Sequence, residues 1–581
     1  MIGSTSASGW RSLLPPLQWL PGYRAEWLKF DLIAGVTLAA YAIPVSMAYA
    51  GLAGLKPHYG IYCYLLGGLG YALFGSSRQL AIGPTSAIAL LVGATVAGMA
   101  GGDPGRWATI ASMTALLVAG LSVLAWLLRL SGLVSFISET ILLGFKAGAA
   151  LTIAMTQLPK LFAVEGGGDN FLERVWILAG QLGDTNPTVL AIGLAALALL
   201  LLGETFLPGR PIALVVVILA IVAVSVSSLE QEGVKTVGVL PPGLPGISLP
   251  ALSPHEIDDL LPLACACFLL AYIEGVSAAR TLAAKNDYEI NPRQELLALG
   301  AANLAASLGH GFPVAGGLSQ SAVNDKAGAR TPLALVVASA TLAVCLLFLT
   351  ELLANLPTVV LASIVLVAVR GLIDVRALVR LWRVSRFEFK VSMVALVGVL
   401  LEGILKGVLF AAIVSLLMLI AGVARPRVAF LGRIPGTRRF SDLERHPDNE
   451  TLPGVVIFRV ESSLLYFNVD HVRRIVWEKF QATPDLRLVI CDLSETPLVD
   501  MAAARMLTAL HGDLAKRAVK LRLVEAHAAV RDLLRAEGLE GVVGYFGRHM
   551  SIEQALAEFE AGGAPTSSGE AGLRASEEGR Q

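Results

Sequence analysis

Two short stretches carry backbone that can do chemistry without a catalytic side chain: Gly83-Pro84-Thr85-Ser86 and Gly316-Gly317-Leu318-Ser319-Gln320. Pro84 suits the first turn of a helix, where its missing N–H is no loss. The residues before it must then be extended or looped, and inside a bilayer such backbone survives only where it lines a protein cavity. A helix starting at mid-membrane points unpaired N–H groups and a positive dipole end into that cavity, which makes an anion site. Thr85 and Ser86 add hydroxyl donors, and Ala87 follows in the same turn. The second half of the chain repeats the device. Gly311 to Gly317 is a flexible extended segment, and Leu318, Ser319 and Gln320 open a second short helix. Two broken apolar segments in corresponding halves point to a substrate site at the bilayer midplane.

Glu274 lies in the middle of the apolar run Leu269–Ala279, and Ser277 and Thr281 continue its helical face as one polar stripe. A carboxylate inside a membrane is costly and marks function by default. The expectation is a proton or cation coupling site, with a structural hydrogen bond or a partner for a nearby lysine as the alternative. Tyr49, just past Pro44, is expected to close the cavity beside the anion; a packed core aromatic is the alternative. Glu139 and Lys146 share one helix face and are expected to form a structural pair between helices, with a permeation role as the alternative. Gly144 and Gly148 are spaced for close helix packing.

The elements that must hold these groups are membrane helices. Apolar residues make up 55% of the 581, charged residues 15%, and mean hydropathy is +0.68. Many runs exceed the roughly 18 residues that a crossing needs. Spans are expected near 30–52, 59–74, 84–100, 107–129, 136–158, 187–205, 211–228, 260–281, 294–310, 318–329, 332–353, 357–373, 388–403 and 405–424. This even number puts both ends of the chain on one side. Arg376, Arg380, Arg383, Arg386 and Lys390 in one loop, with Arg425, Arg427 and Arg433 after the last span, make that side cytoplasmic. Residues 159–186 are expected at the interface, and residues 229–259 as an extramembrane linker. Residues 1–29 read as a cytoplasmic lead-in rather than a signal peptide, since Pro15-Pro16 and charges interrupt any apolar stretch.

Composition changes after Arg425. Residues 455–460, 486–492 and 519–524 read as strands, and 471–480 and 502–518 as helices, so 425–560 is a small α/β domain. Residues 561–581 read as a disordered tail. Formal net charge is zero, which gives no nucleic-acid signature. The cysteines (63, 265, 267, 345 and 491) are scattered, and Cys265 and Cys267 diverge on a helix, so neither a disulfide nor a metal site is indicated. No nucleophile–base pair, metal cluster or phosphate loop suggests an enzyme, and no cofactor is expected beyond a coupling H⁺ or Na⁺.

In order and spacing the chain resembles the sulfate permease family of anion transporters. The resemblance rests on Ile43–Ala50, Tyr59–Tyr62, Ala72–Ser77, Gly316–Ser321 and Ala327–Pro332, and the tail resembles a STAS domain through Asp492-Leu493-Ser494 and Asp500. It implies fourteen helices in two inverted repeats of seven, a core domain moving against a gate domain in an elevator-like manner, and a homodimer. Tyr49, Thr85, Ser86, Ala87, Leu318, Ser319 and Gln320 would bind a small anion (sulfate, bicarbonate or a dicarboxylate), and Glu274, Ser277 and Thr281 the coupling ion. An uncoupled exchanger or channel-like pathway is the alternative; a nucleobase permease shares the fold but lacks such a tail. Sulfate-type members often carry glutamine where this chain has Val45, and many carry arginine where it has Gln320. Losing that cation points toward a monovalent anion or a carboxylate taken with a cation. Related phospho-switch domains have serine after the second aspartate. Here Met501 and Ala502 follow Asp500, so the tail is expected to be an assembly or partner-binding module.

Overall fold

Three of the membrane helices begin on the same local signal, an Asp or Asn followed by Pro. The side chains of Asp103, Asn186 and Asn291 accept from the first free N–H groups of their helices, and the next residue is proline at the first helical position. In the computed structural model, which describes residues 14–561 apart from 102, 133–138, 169, 208–210, 228, 252–253 and 549, the chain forms two units, Met1–Ser415 and Leu416–Gln581. Among the described residues, six helices are long and apolar enough to cross a membrane, and three further apolar helices are shorter.

The first unit runs twice through the same order. The first pass is α1 (Ala25–Leu52), α2 (Pro57–Phe74), β1 (Ile82–Gly83), α3 (Ser86–Ala100) and α4 (Pro104–Leu127), followed by α5 (Glu139–Phe162), α6 (Pro187–Phe206) and α7 (Ile212–Val226). The second is α8 (Pro254–Lys285), α9 (Pro292–Leu308), β2 (Ala315–Gly316), α10 (Leu318–Lys326) and α11 (Leu333–Phe348), followed by α12 (Thr358–Arg370), α13 (Val375–Val384) and α14 (Arg386–Ala424). Both passes therefore contain a long helix, a second helix, a two-residue strand and a short helix. Helix α14 breaks at Gly403, whose φ of +83° is open to glycine and strained for other residues, so its two arms stand for the last two expected spans.

Most expected spans match observed helices within a few residues. The departures have physical causes. Helix α8 extends past the expected 260–281 at both ends, with Pro262 accommodated inside it. The expected span 332–353 ends at Phe348, and a separate turn of helix covers Thr350–Ala354. The interfacial stretch contains a short helix, Phe171–Gln181, capped by Asn170. The linker is not free. Backbone N–H groups of Val237, Gly243 and Ser248 donate to the carbonyls of Leu356, Leu346 and Leu308, lacing it over helix ends of the second half.

Packing divides these helices into two sets. Helix α9 packs on both α2 and α4, helices α1, α2 and α11 pack on one another, and α5, α6 and α12 form another group that α1 touches through α12. Lipid gives no hydrophobic drive for helices to associate, so close backbone approach must supply it. A Cβ on Gly144 of α5 would stand 1.8 Å from the Ser392 carbonyl oxygen, and one on Gly148 would stand 2.8 Å from that of Leu396. The expected role of these glycines in packing is seen here. The Glu139 side chain lies outside the described residues.

Two carboxylates in this unit are fully occupied. Glu295 accepts from the Tyr71 hydroxyl (2.8 Å), the Ser76 hydroxyl (2.6 Å) and the backbone N–H groups of Ser76 (2.9 Å) and Ser77 (3.3 Å). Asp31 accepts from the backbone of Arg330 (2.7 Å) and Thr331 (3.0 Å) and from the hydroxyls of Thr331 (2.7 Å) and Tyr23 (3.1 Å). Such saturation marks them as clamps.

The second unit is a five-stranded mixed sheet in the order β4-β3-β5-β6-β7, with strands β3 (Val428–Arg433), β4 (Phe440–Asp442), β5 (Val455–Val460), β6 (Leu488–Asp492) and β7 (Lys520–Val524). The strands expected from sequence omit β3 and β4, which pair antiparallel: β4 is three residues long, and β3 begins directly after the charged Arg425-Pro426-Arg427. Helices α15 (Val469–Gln481) and α16 (Met501–Ala515) pack on the sheet through Val472, Val476, Leu507 and Leu510. Asp500 caps α16, accepting from the Ala503 N–H, and its second oxygen accepts from the Tyr466 N–H.

Candidate anion site

The two broken segments meet. β1 and β2 pair antiparallel, Ile82 opposite Gly316 and Gly83 opposite Ala315, so the chain leaves the pair in opposite directions to enter α3 and α10, whose N-termini are opposed across it. Side chains hold the flanking backbone. Asn303 donates to the carbonyls of Leu299 and Val314 and accepts from the Val314 N–H. Cys63 exchanges hydrogen bonds with the Phe312 backbone, and Ser321 accepts from the Ala81 N–H and donates to the Gly317 carbonyl. Asn324 donates to the Gln79 carbonyl at 3.0 Å. This satisfies the irregular backbone internally, as a bilayer requires.

In front of the two helix ends lies a cavity of about 310 Å³. Its lining contains Tyr49, Thr85, Ser86, Leu318, Ser319, Gln320, Glu274, Ser277 and Thr281, so nine of the ten residues singled out from sequence are brought together. Ala87 is the exception. Its side chain is buried away from the cavity, and only its place in the first turn of α3 relates it to the site. The first N–H groups of each helix have no carbonyl one turn back to bond. The Thr85 hydroxyl is buried without a hydrogen-bond partner of good geometry, although it faces Glu274. Tyr49 is buried with its hydroxyl beside Ser86.

Three placements differ from a simple reading of the sequence. Gln320 lines the cavity, but its amide nitrogen donates to the Ala81 carbonyl (3.1 Å) and the Ala315 carbonyl (3.2 Å), one flanking each strand or within it. It therefore ties the two broken segments together. Lys146, expected to serve a structural pair, lines the cavity and interacts electrostatically with Glu274. Its sign was readable in the sequence; its direction depends on how α5 packs. Thr281 does sit in the polar stripe, yet its hydroxyl donates to the Ser277 carbonyl at 2.9 Å.

Residues 28–395 match the family model for the sulfate permease family, and residues 446–556 that for the STAS domain. The first match alone covers more than half of the chain. The chain belongs to the sulfate permease family. A protein named "Probable sulfate transporter" from Mycobacterium tuberculosis strain H37Rv is 33% identical over 560 residues, covering 96% of this chain and 100% of the relative. "Sulfate transporter 4.1, chloroplastic" of Arabidopsis thaliana is 31% identical over 560 residues, covering 92% of this chain and 80% of that one.

Solved structures show the same permease fold. The murine Solute Carrier 26 family member A9 anion transporter, described in its inward-facing state, superposes with a TM-score of 0.87 at 22% identity, covering 96% of both chains. The transmembrane domain of a cyanobacterial bicarbonate transporter superposes with a TM-score of 0.58 at 22% identity, covering 68% of this chain and 98% of that one. The expected fold class, a mostly helical multi-pass membrane protein with a small α/β STAS domain, holds. Membership of this permease family makes the protein a membrane anion transporter and not an enzyme.

Proposed function

We propose that this permease performs secondary active transport of a small oxyanion, sulfate foremost, held between the N-termini of α3 and α10 and coupled to H⁺ or Na⁺ through Glu274. The observation that carries the reading is the convergence of two unpaired helix N-termini and one unsaturated carboxylate on a single cavity. The relatives' names add sulfate as the first candidate. Glu274 differs from Asp31 and Glu295 in lacking a ring of donors, and a carboxylate so placed is available to a proton or sodium ion.

Transport follows from packing. The two helix ends are fixed to each other by β1, β2 and Gln320, while α5, α6 and α12 form a separate group facing them. The bound anion is carried as these two bodies slide, an elevator-like motion. By the positive-inside rule the Arg-rich α13 lies at the cytoplasmic face, which puts both termini in the cytoplasm of a cell that holds the protein in its plasma membrane. The cavity reaches Gly371, Leu372 and Asp374 just before α13, so its mouth opens inward.

The test is uptake into proteoliposomes of labelled sulfate, bicarbonate and C4-dicarboxylates under imposed pH or sodium gradients. Concentrative sulfate uptake that collapses with one of the two gradients is expected. Equal uptake with both removed would point to the uncoupled exchanger instead.

The STAS domain, which we place at 425–560, is proposed as an assembly module that supports a homodimer or a cytoplasmic partner. Asp500 is spent on a helix cap and on the Tyr466 N–H, and no hydroxyl follows it. Truncation after Pro426 is expected to lower the amount or rate of transport and leave substrate preference unchanged. A phosphate found on the 494–502 loop that alters transport would refute the assembly reading.

A further inference from the structure

We infer that Lys146 is the fixed counter-charge of the bound anion and the residue that sets its charge class, favouring a doubly charged oxyanion over a monovalent one. The inference rests on the cavity being the anion site. Lys146 is the single basic side chain among the described residues that line it. Two acidic side chains share the lining. Asp374 is already engaged as the N-cap of α13, accepting from the Ala377 N–H at 2.9 Å. Glu274 faces Lys146 and Thr85. Tyr41 and Tyr49 are the remaining titratable groups on the walls.

Lys146 enters none of the ion pairs within 4.0 Å found among the described residues. Its ammonium is therefore held in the field of Glu274 without being locked to it. A charge kept in a membrane cavity in this way is expensive unless it works on a ligand or a partner. Gln320 sits on α10 beside the helix ends, whereas Lys146 sits on α5, which packs on α12 and α6.

Coulomb attraction between a fixed ammonium and an anion doubles when the anion's charge doubles at the same distance. The helix N-termini act as partial charges and discriminate less. Removing the ammonium must then weaken a dianion more than a monoanion. It also couples the two charged groups, since an anion that engages Lys146 withdraws it from Glu274 and leaves that carboxylate to the coupling ion. The effect is reciprocal: the coupling ion strengthens anion binding by the same factor.

The experiment measures binding, not uptake, on the purified full-length protein in lipid nanodiscs, with labelled sulfate as probe and bicarbonate and nitrate as competitors. For Lys146→Met, the sulfate dissociation constant is expected to rise ~10-fold or more, the difference between a charge-assisted hydrogen bond and none. The two monovalent anions should lose only about the square root of that factor, roughly threefold for a tenfold sulfate loss, since each carries half the charge. Lys146→Arg should keep the wild-type ratio. Lys146→Gln serves if the methionine variant does not fold. An unchanged ratio of sulfate to monovalent affinity would overturn the inference. So would recovery of sulfate binding in Lys146→Met/Glu274→Gln, which would reduce Lys146 to a neutraliser of Glu274. Wild-type protein that binds none of the three anions would instead overturn the site reading on which the inference stands.

Discussion

Glu274→Gln is expected to abolish gradient-driven accumulation while leaving substrate binding and anion exchange within a few fold of wild type. The amide keeps the shape of a protonated carboxyl, so the cavity wall formed with Ser277 and Thr281 is preserved. What it cannot do is give up or take a cation as the site crosses the low-dielectric membrane. An accumulating carrier that loses its coupling group becomes a passive exchanger, and its concentration ratio falls to one. Glu274→Ala should lose more, because it opens a gap beside Thr85 as well. If sodium is the ion, Ser277→Ala should weaken sodium dependence, since a hydroxyl oxygen is a hard ligand; if the proton is the ion, this change should matter little. The assay is uptake in proteoliposomes with a pH or sodium gradient, wild type beside mutant. Concentrative uptake by Glu274→Gln at the wild-type level would return Glu274 to a structural role.

The second large effect is expected at the helix ends. Ser319 is exposed to the cavity in the first turn of α10, where three N–H groups have no intrahelical acceptor. Ser319→Asp would place a carboxylate where the proposed site holds its anion. In the first turn of α10 it would also benefit from the helix dipole, so the site is filled without loss of helix stability. Uptake should fall at least ~100-fold, the scale of losing one or two charge-assisted hydrogen bonds to the anion and adding repulsion. Thermal stability should stay at or above wild type. Wild-type uptake by this variant would remove the N-terminus of α10 from the site.

The sequence made the broken helices legible because proline and glycine interrupt apolar runs, and those interruptions have few structural explanations in a bilayer. Glu274 was legible for the same reason, as a charge where charge is costly. Directions were not. Whether Lys146 points along α5 to another helix or across into the cavity depends on how that helix rotates against α12, and apolar residues on all sides leave the rotation unmarked. Gln320 was read as an anion contact from its position alone, and nothing local signals that its amide reaches two carbonyls in different halves. Ala87 was included by adjacency, although a first-turn residue can contribute its N–H while its side chain turns away. In the STAS domain β5, β6 and β7 alternate or run apolar and were readable, whereas β4, three residues long, carries no periodicity to detect, and β3 follows directly on Arg425-Pro426-Arg427.

The pairing of β1 with β2 has a consequence for how the protein is made. Synthesis delivers Gln79 and Ala81 long before Gln320, Ser321 and Asn324, the side chains that occupy their backbone groups. At half length the nascent chain therefore holds open peptide groups at membrane depth, each costing several kcal/mol if left to lipid. The second half has the reverse dependence, since the Phe312 backbone relies on Cys63, which is already in place. Biogenesis must then be sequential, with the first half kept in contact with water or the insertion machinery until the second arrives, and the transport site comes into being only when the membrane part of the chain is nearly complete.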